Sequence, residues 1–289
     1  MLKNFPNYHS HTNYCDGSNP LEDYILKAIE LNMPAYGFSG HVPLPFESKW
    51  SMKSNKVDDY LFEIEKLKVK YLGKIEIYKS MEIDFVDGII GPKSPEILTY
   101  KLDYTIGSIH YGNQLQNGNY WEIDGTWPNF QLGLNEFFGK DFKNAIKWYL
   151  NETKKMIETS TPDIVGHLDK IKIHFNKMNF SENEKWYQNE MFEILALIQQ
   201  KNIILEINTR GIYKKLTVEN YPSDFIIKAA KQFKVPMVLN SDCHHPKEIN
   251  ANFENTADYL ISCGIKTLRV LYHNQWQDVP FSRSGIILD

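Results

Sequence analysis

The sequence predicts a single α/β domain, residues 1–289, built from parallel βα units. Three observations predict it. Apolar, β-branched or aromatic runs of strand length alternate with stretches of helical periodicity along the whole chain. No linker, low-complexity segment or internal repeat interrupts that alternation. Polar residues able to ligate metal collect at the C-terminal ends of the strand-like runs, and a closed parallel arrangement brings such ends to one face. With 289 residues, 42% of them hydrophobic, the chain is long enough for one large core of this kind.

Taken in order, Leu2 to Tyr8 is a short apolar-rich run readable as a strand. It leads into Asn7-Tyr8-His9-Ser10-His11-Thr12-Asn13-Tyr14-Cys15-Asp16-Gly17. His9 and His11 are two residues apart, so an extended backbone sends both imidazoles to one face. Leu21 to Asn32 has apolar residues at helical spacing (Leu21, Tyr24, Ile25, Ala28). Pro34 to Ser39 is a buried strand ending at Gly40-His41. Val42 to Ser54 is a loop, and Val57 to Tyr71 an amphipathic helix. Ile75 to Ile83 is a strand that carries Glu82 at its end. Pro95 to Tyr100 is a short helix, and Leu102 to Ile109 a strand closing on His110.

Tyr111 to Gly139 is a long, Gly/Asn-rich, aromatic connection with Glu122-Ile123-Asp124-Gly125 in its centre. Connections of that length are usually functional or disordered, and the aromatic content argues against disorder. Phe142 to Thr159 is a helix, and Asp163 to Gly166 a strand ending in His167-Leu168-Asp169. Glu184 to Gln200 is a helix, and Ile203 to Ile207 a strand ending in Asn208-Thr209-Arg210-Gly211. Ser223 to Phe233 is a helix, and Pro236 to Leu239 a strand ending in Asn240-Ser241-Asp242-Cys243-His244-His245. Ala251 to Cys263 is the next helix and Lys266 to Tyr272 the last strand.

A formal charge of -4, with no Lys/Arg cluster interleaved with aromatics, argues against duplex nucleic acid as the main partner. A local site for a phosphate ester is still compatible with it. Cys15, Cys243 and Cys263 form no CxxC pair, and small buried thiols are the expected reading for Cys15 and Cys243. There is no charged-then-apolar leader pattern and no apolar stretch of membrane-spanning length. The expected compartment is a reducing cytoplasm.

Chemistry-bearing residues fall at seven strand ends: His9/His11, His41, Glu82, His110, His167, Asn208/Arg210 and Asp242/His244. Alone, each has an ordinary explanation. His41, His110 and His167 read as loop or half-buried histidines, and Glu82 as a helix cap or a lysine partner. Two x-intervened ligand pairs at strand ends, joined by the other four positions, point instead to metal. Imidazoles with carboxylates suit zinc, manganese or iron, and clustered divalent ions acidify water and clamp phosphoryl oxygens. Arg210 is one of three arginines and the only one in a strand-end motif. Its fork matches a phosphate dianion; the alternative is a structural salt bridge.

The ordered set His9-Ser-His11, Asp16-Gly17, Gly40-His41, Glu82, Gly-Ser-Ile-His110, Gly-His167-Leu-Asp, Asn-Thr-Arg210-Gly and Ser-Asp242-Cys-His244 resembles the polymerase-and-histidinol-phosphatase (PHP) superfamily. More narrowly it is similar to the histidinol-phosphatase branch, from residue 9 to about residue 273. The resemblance implies a distorted (β/α)7 TIM-like barrel with a trinuclear centre of two to three divalent ions. His9, His11, Glu82 and Asp242 would hold the first. Glu82 would bridge to a second completed by His110 and His167, and Asp16, His41 and His244 would hold the third. Many superfamily members carry a histidine where this chain has Asp16.

The implied activity is phosphomonoester hydrolysis, with L-histidinol phosphate as the small phosphorylated substrate and L-histidinol and phosphate as products. Glu82, Asp242 and Arg210 are the expected catalytic residues. Arg210, Glu122 and Asp124 are the expected substrate contacts, the last two equally readable as ordinary loop carboxylates. The proton for the leaving alkoxide has several possible sources at this stage: water on the centre, Asp242 or a site histidine. The rival readings are another PHP-type phosphoesterase or nuclease, which would want a basic groove, and a non-catalytic PHP module, which should have lost ligands.

Overall fold

Six short runs of β-branched, aromatic and aliphatic residues pair in parallel, and everything else packs on them. The computed structural model describes residues 1–288. Its elements are β1 (Leu2–Lys3), α1 (Leu21–Glu30), β2 (Ala35–Phe38), α2 (Val57–Lys70), β3 (Glu76–Asp84), α3 (Pro95–Thr99), β4 (Tyr104–Ser108), β5 (Tyr111–Gln114) and β6 (Tyr120–Glu122). There follow α4 (Trp127–Phe138), α5 (Phe142–Thr159), β7 (Ile164–Val165), α6 (Lys185–Gln200), β8 (Ile204–Asn208), α7 (Arg210–Tyr213) and α8 (Asp224–Gln232). The chain ends with β9 (Met237–Asn240), α9 (Phe253–Ser262), β10 (Thr267–Tyr272), β11 (Gln275–Ser282) and β12 (Gly285–Ile287).

The main sheet has the order β2-β3-β4-β7-β8-β9, all parallel. In register, Glu82 lies beside Ile106 and Asn208 beside Asn240. Residues 7–11 join its two outer strands. Asn7 bridges Tyr36 on one side, and Ser10 bridges Cys243 on the other, both in parallel. Backbone bonds from Gly37 N to Asn7 O (2.8 Å) and from His11 N to Cys243 O (2.8 Å) complete the closure. The result is a distorted TIM-like barrel, with every parallel strand ending on the same rim.

Helices cover the outside because their apolar stripes have nowhere else to go. Leu21, Tyr24, Ile25 and Ala28 are the buried side of α1. Asp141 starts α5 by accepting a bond from Asn144 N, which satisfies an orphan donor at the helix end. At the opposite end of the barrel Tyr8, Tyr104 and Trp276 pack edge to face, with centroids 5.5–5.9 Å apart. The Tyr104 hydroxyl donates to Tyr8 O, and Gly37 leaves room for it, since a Cβ there would sit 2.1 Å from that oxygen.

Three expectations change, and one stretch that the sequence pattern leaves unassigned gains an element. Leu2 to Tyr8 is a strand only over Leu2–Lys3, which pairs with β12; Pro6 has no N–H for a ladder. Tyr111 to Gly139 contains the β5–β6 hairpin and α4 rather than one irregular connection. Thr267–Tyr272 is a strand, but it lies in a separate antiparallel sheet, β1-β12-β11-β10, and not among the parallel strands. Lys170–Met178 is a 3-10 turn directly after His167-Leu168-Asp169. Among the described residues, no helix is long and apolar enough to cross a membrane.

Candidate metal centre

The strand ends deliver His9, His11, His41, Glu82, His110, His167, Asp242 and His244, and the turn at Asp16-Gly17 delivers Asp16, to one cleft region. Five overlapping groups form there: His9, His167 and Asp242; His41, Asp84 and His110; His11, Asp16, His41 and His244; His9, His11 and Glu82; and Glu82, His110 and His167. Within each, one potential ligand atom per residue lies within 4.8 Å of the others. Glu82 is common to the last two. Its Oε2 lies 3.1 Å from His9 Nε2, 3.4 Å from His11 Nε2 and 3.2 Å from His41 Nδ1. Its Oε1 lies 2.9 Å from His167 Nε2 and 3.4 Å from His110 Nε2.

Local backbone features aim these groups. Ser108 Oγ donates to Glu82 Oε1 at 2.6 Å, and Gly166 makes room for that hydroxyl, since a Cβ there would lie 2.6 Å from it. The Asp16-Gly17 turn folds back through Gly17 N to Thr12 O (3.0 Å) and sets Asp16 Oδ2 3.0 Å from His244 Nε2. Asp242 has φ 52°, a left-handed conformation that aspartate tolerates better than most residues and that recurs at functional sites. Its Oδ1 lies 3.2 Å from His11 Nε2 and 3.7 Å from His9 Nε2.

Carboxylates behind the cleft orient two of the imidazoles. Asp84 Oδ1 accepts from both the backbone N (3.2 Å) and Nδ1 (2.9 Å) of His110. Glu206 Oε1 accepts from His9 Nδ1 at 2.6 Å. Neither Asp84 nor Glu206 is among the residues singled out by the strand-end pattern, and the signal lies within the strands. Asp84 is two residues past Glu82 on one strand, and Glu206 sits between apolar neighbours in Ile204–Asn208, where an unpaired charge would be costly.

The electrostatics favour cations. Burial alone would raise the Glu82 and Asp242 carboxyls, but the surrounding imidazoles, with Arg210 beside Asp242, hold both well below the usual range. Burial takes His11 and His41 down to about 4, helped by neighbouring histidines. His110 goes the other way: burial opposes protonation, yet Asp84 and Glu82 push it up to about 10. Buried nitrogens with no hydrogen-bond partner test the fit for metal directly. His9 Nε2, His11 Nε2 and His41 Nδ1 are all of this kind, and all face Glu82. Imidazoles and carboxylates converging on Glu82, with three imidazole nitrogens left without a partner, form a donor set that suits a divalent cation of the zinc, manganese or iron type.

The cleft itself, about 190 Å³, is lined by Asp16, His41, Glu82, His110, His167, Asp242 and His244 together with Trp50, Asp124, Gly125, Lys170 and Arg210, while His9 and His11 lie buried beneath it. Arg210 donates from Nη1 to Asp242 O (2.8 Å) and lies 2.8 Å from His244 Nδ1. No carboxylate pairs with it among the described residues, so the salt-bridge alternative finds no partner there. Lys170, which the strand-end pattern passes over, stands 3.6 Å from Asp124 and 3.9 Å from Asp242, over the Tyr221 ring. Asp124 therefore faces the cleft. Glu122 does not: it holds Asn129 (2.7 Å) and Lys49 (3.4 Å) at a neighbouring depression.

Comparison with known proteins gives a consistent result. The model of the PHP domain matches residues 7–210. A "Probable histidinol-phosphatase" of Deinococcus radiodurans is 25% identical over 263 residues, covering 90% of this chain and 94% of that protein. The histidinol-phosphatase of Bacillus subtilis is 25% identical over 262 residues, covering 85% and 96%. The crystal structure of histidinol phosphate phosphatase from Lactococcus lactis, complexed with zinc, L-histidinol and phosphate, shares the fold. It superposes with a TM-score of 0.69 at 21% identity, covering 100% of both chains.

Proposed function

The chain belongs to the PHP domain family, and from that premise we propose that it is a metal-dependent phosphomonoesterase that hydrolyses L-histidinol phosphate to L-histidinol and phosphate. The histidinol-phosphatase names of full-length relatives support the substrate. The observation that carries the chemistry is Glu82, buried among five imidazole nitrogens, three of which are without a hydrogen-bond partner. In this reading His9, His11, Glu82 and Asp242 hold one divalent ion, Glu82, His110 and His167 a second, and Asp16, His41 and His244 a third. Zinc, manganese and iron fit that donor set. The whole chain acts as one domain, in the cytoplasm, where its three free thiols stay reduced.

When bound, such ions supply Lewis acidity, acidifying water and neutralising phosphoryl charge. The residues of the chain do the rest. Arg210 and Lys170 flank the cleft and bind the phosphate dianion. Asp124, turned into the cleft, meets the cationic part of the substrate. Asp242, kept ionised by His9 and Arg210, relays a proton from the attacking water as the water oxygen bonds phosphorus. The P–O ester bond breaks, and that proton passes to the leaving alkoxide.

All nine positions hold coordinating side chains facing one region, so nothing supports a degenerate, non-catalytic module. A panel of phosphomonoesters tests the substrate. Phosphate release should be fastest from L-histidinol phosphate and much slower from neutral or anionic esters of similar size. A flat profile across the panel would overturn the substrate assignment.

A further inference from the structure

We propose that Glu206 is a positioning residue for the metal centre, acting through His9 without itself facing the cleft. The inference rests on the reading that His9 holds metal. Glu206 is fully buried in β8, and both of its oxygens are committed to donors. Oε1 accepts from His9 Nδ1 (2.6 Å) and Asn240 Nδ2 (2.9 Å). Oε2 accepts from the backbone N of His167 (2.8 Å) and from Asn208 Nδ2 (3.1 Å).

Burying a carboxylate is costly unless donors surround it, so four donors mark a built position and not an accident of packing. They come from four separate stretches of chain that meet under the cleft. With Nδ1 engaged by Glu206, Nε2 is the nitrogen His9 has left for a cation, and it is the buried atom without a partner beside Glu82. A carboxylate behind a ligating histidine fixes the ring and raises its basicity. The Asn208 amide also lies 3.3 Å from Asp242 Oδ2, so the same lattice of bonds holds a second residue of that group. No other part of the proposed reaction uses Glu206.

The test takes the full chain, stripped with a chelator and titrated with zinc against a chromophoric competitor, as wild type, Glu206→Gln, His9→Ala and the double variant. Glu206→Gln keeps the size but turns an NH2 toward a donor. Its zinc affinity should fall on the order of 10- to 100-fold. In the His9→Ala background the same change should cost about threefold or less, because the ring it orients is gone. Nitrogen-15 spectra of zinc-loaded wild type should show a protected imidazole N–H that vanishes in His9→Ala, which keeps the inference testable should Glu206→Gln fail to fold. Equal zinc affinity of wild type and Glu206→Gln, equal penalties in both backgrounds, or absence of that N–H signal would each overturn it. A wild type that binds no zinc would overturn the proposed function as well, so the wild-type titration tells the two failures apart.

Discussion

Glu82 Oε1 lies 2.9 Å from His167 Nε2 while the other oxygen of the same carboxylate faces His9, His11 and His41. One side chain thus serves two groups of donors. Glu82→Gln should remove most activity and lower metal content by more than one ion's share, since an amide cannot bridge two cations as a carboxylate does. The expected loss in kcat exceeds the roughly 10- to 100-fold typical of an outer partner. Elemental analysis and kinetics on one preparation decide; full metal content with normal turnover would make Glu82 a structural residue.

Arg210 spends Nη1 on Asp242 O and His244 Nδ1, which leaves the rest of its fork for phosphate. Arg210→Ala should cost about 10- to 200-fold in kcat/KM, as a charged hydrogen bond is worth roughly 1.5–3 kcal/mol. Arg210→Lys should recover part of it, because a point charge lacks the two-pronged geometry. Unchanged kcat/KM in a well-folded, metal-replete Ala variant would rule out the clamp.

Asp124 should sort substrates by charge. Asp124→Asn should raise KM for L-histidinol phosphate on the order of 10-fold or more, the value of one charge-assisted contact. For glycerol phosphate, which has no cationic group, the change should stay within about threefold on the same principle. Parallel losses on both esters would move Asp124 from recognition to general support of the site.

Protons and metal compete at His110. In the metal-free chain its pKa is pushed up from 6.5 to about 10, chiefly by Asp84 against the effect of burial. A raised folded-state value means its protonation stabilises the metal-free fold fully below 6.5 and ceases to do so as pH rises through 10. Binding a cation there must expel that proton, so zinc affinity should rise with pH across this window. Calorimetry in buffers of different ionisation enthalpy should show proton release at pH 7. No buffer dependence would show that His110 keeps its proton and does not bind metal.

Eight of the nine clustered histidines and carboxylates were legible because they stand at strand ends, where type and position agree; Asp16, in a turn, enters through the resemblance. Residues that act from behind leave a weaker mark. Glu206 reads as one polar residue in an apolar strand, and only its burial with four donors gives it meaning. Lys170 follows Gly-His-Leu-Asp, and nothing in its spacing says that the 3-10 turn swings it over Tyr221 into the cleft. The β5–β6 hairpin carried a usable signal in Asn117-Gly118, with Gly118 at φ 87°, overshadowed by the length of the connection. His273 and Asn274, at φ 52° and 57°, turn β10 back into β11, which takes the last strand out of the parallel set. Glu122 and Asp124 look alike in sequence. Only the fold separates the one engaged by Asn129 from the one facing the cleft.

The central claim is that the converging histidines and carboxylates hold the ions that hydrolysis needs. The most direct measurement strips the purified chain with a chelator, restores zinc or manganese in steps, and follows bound metal and phosphate release from L-histidinol phosphate together. Activity should be absent from the stripped chain and return in step with filling, levelling at two to three ions per chain. Turnover by a chain shown to contain no metal, or a fully loaded chain with no turnover, would contradict it.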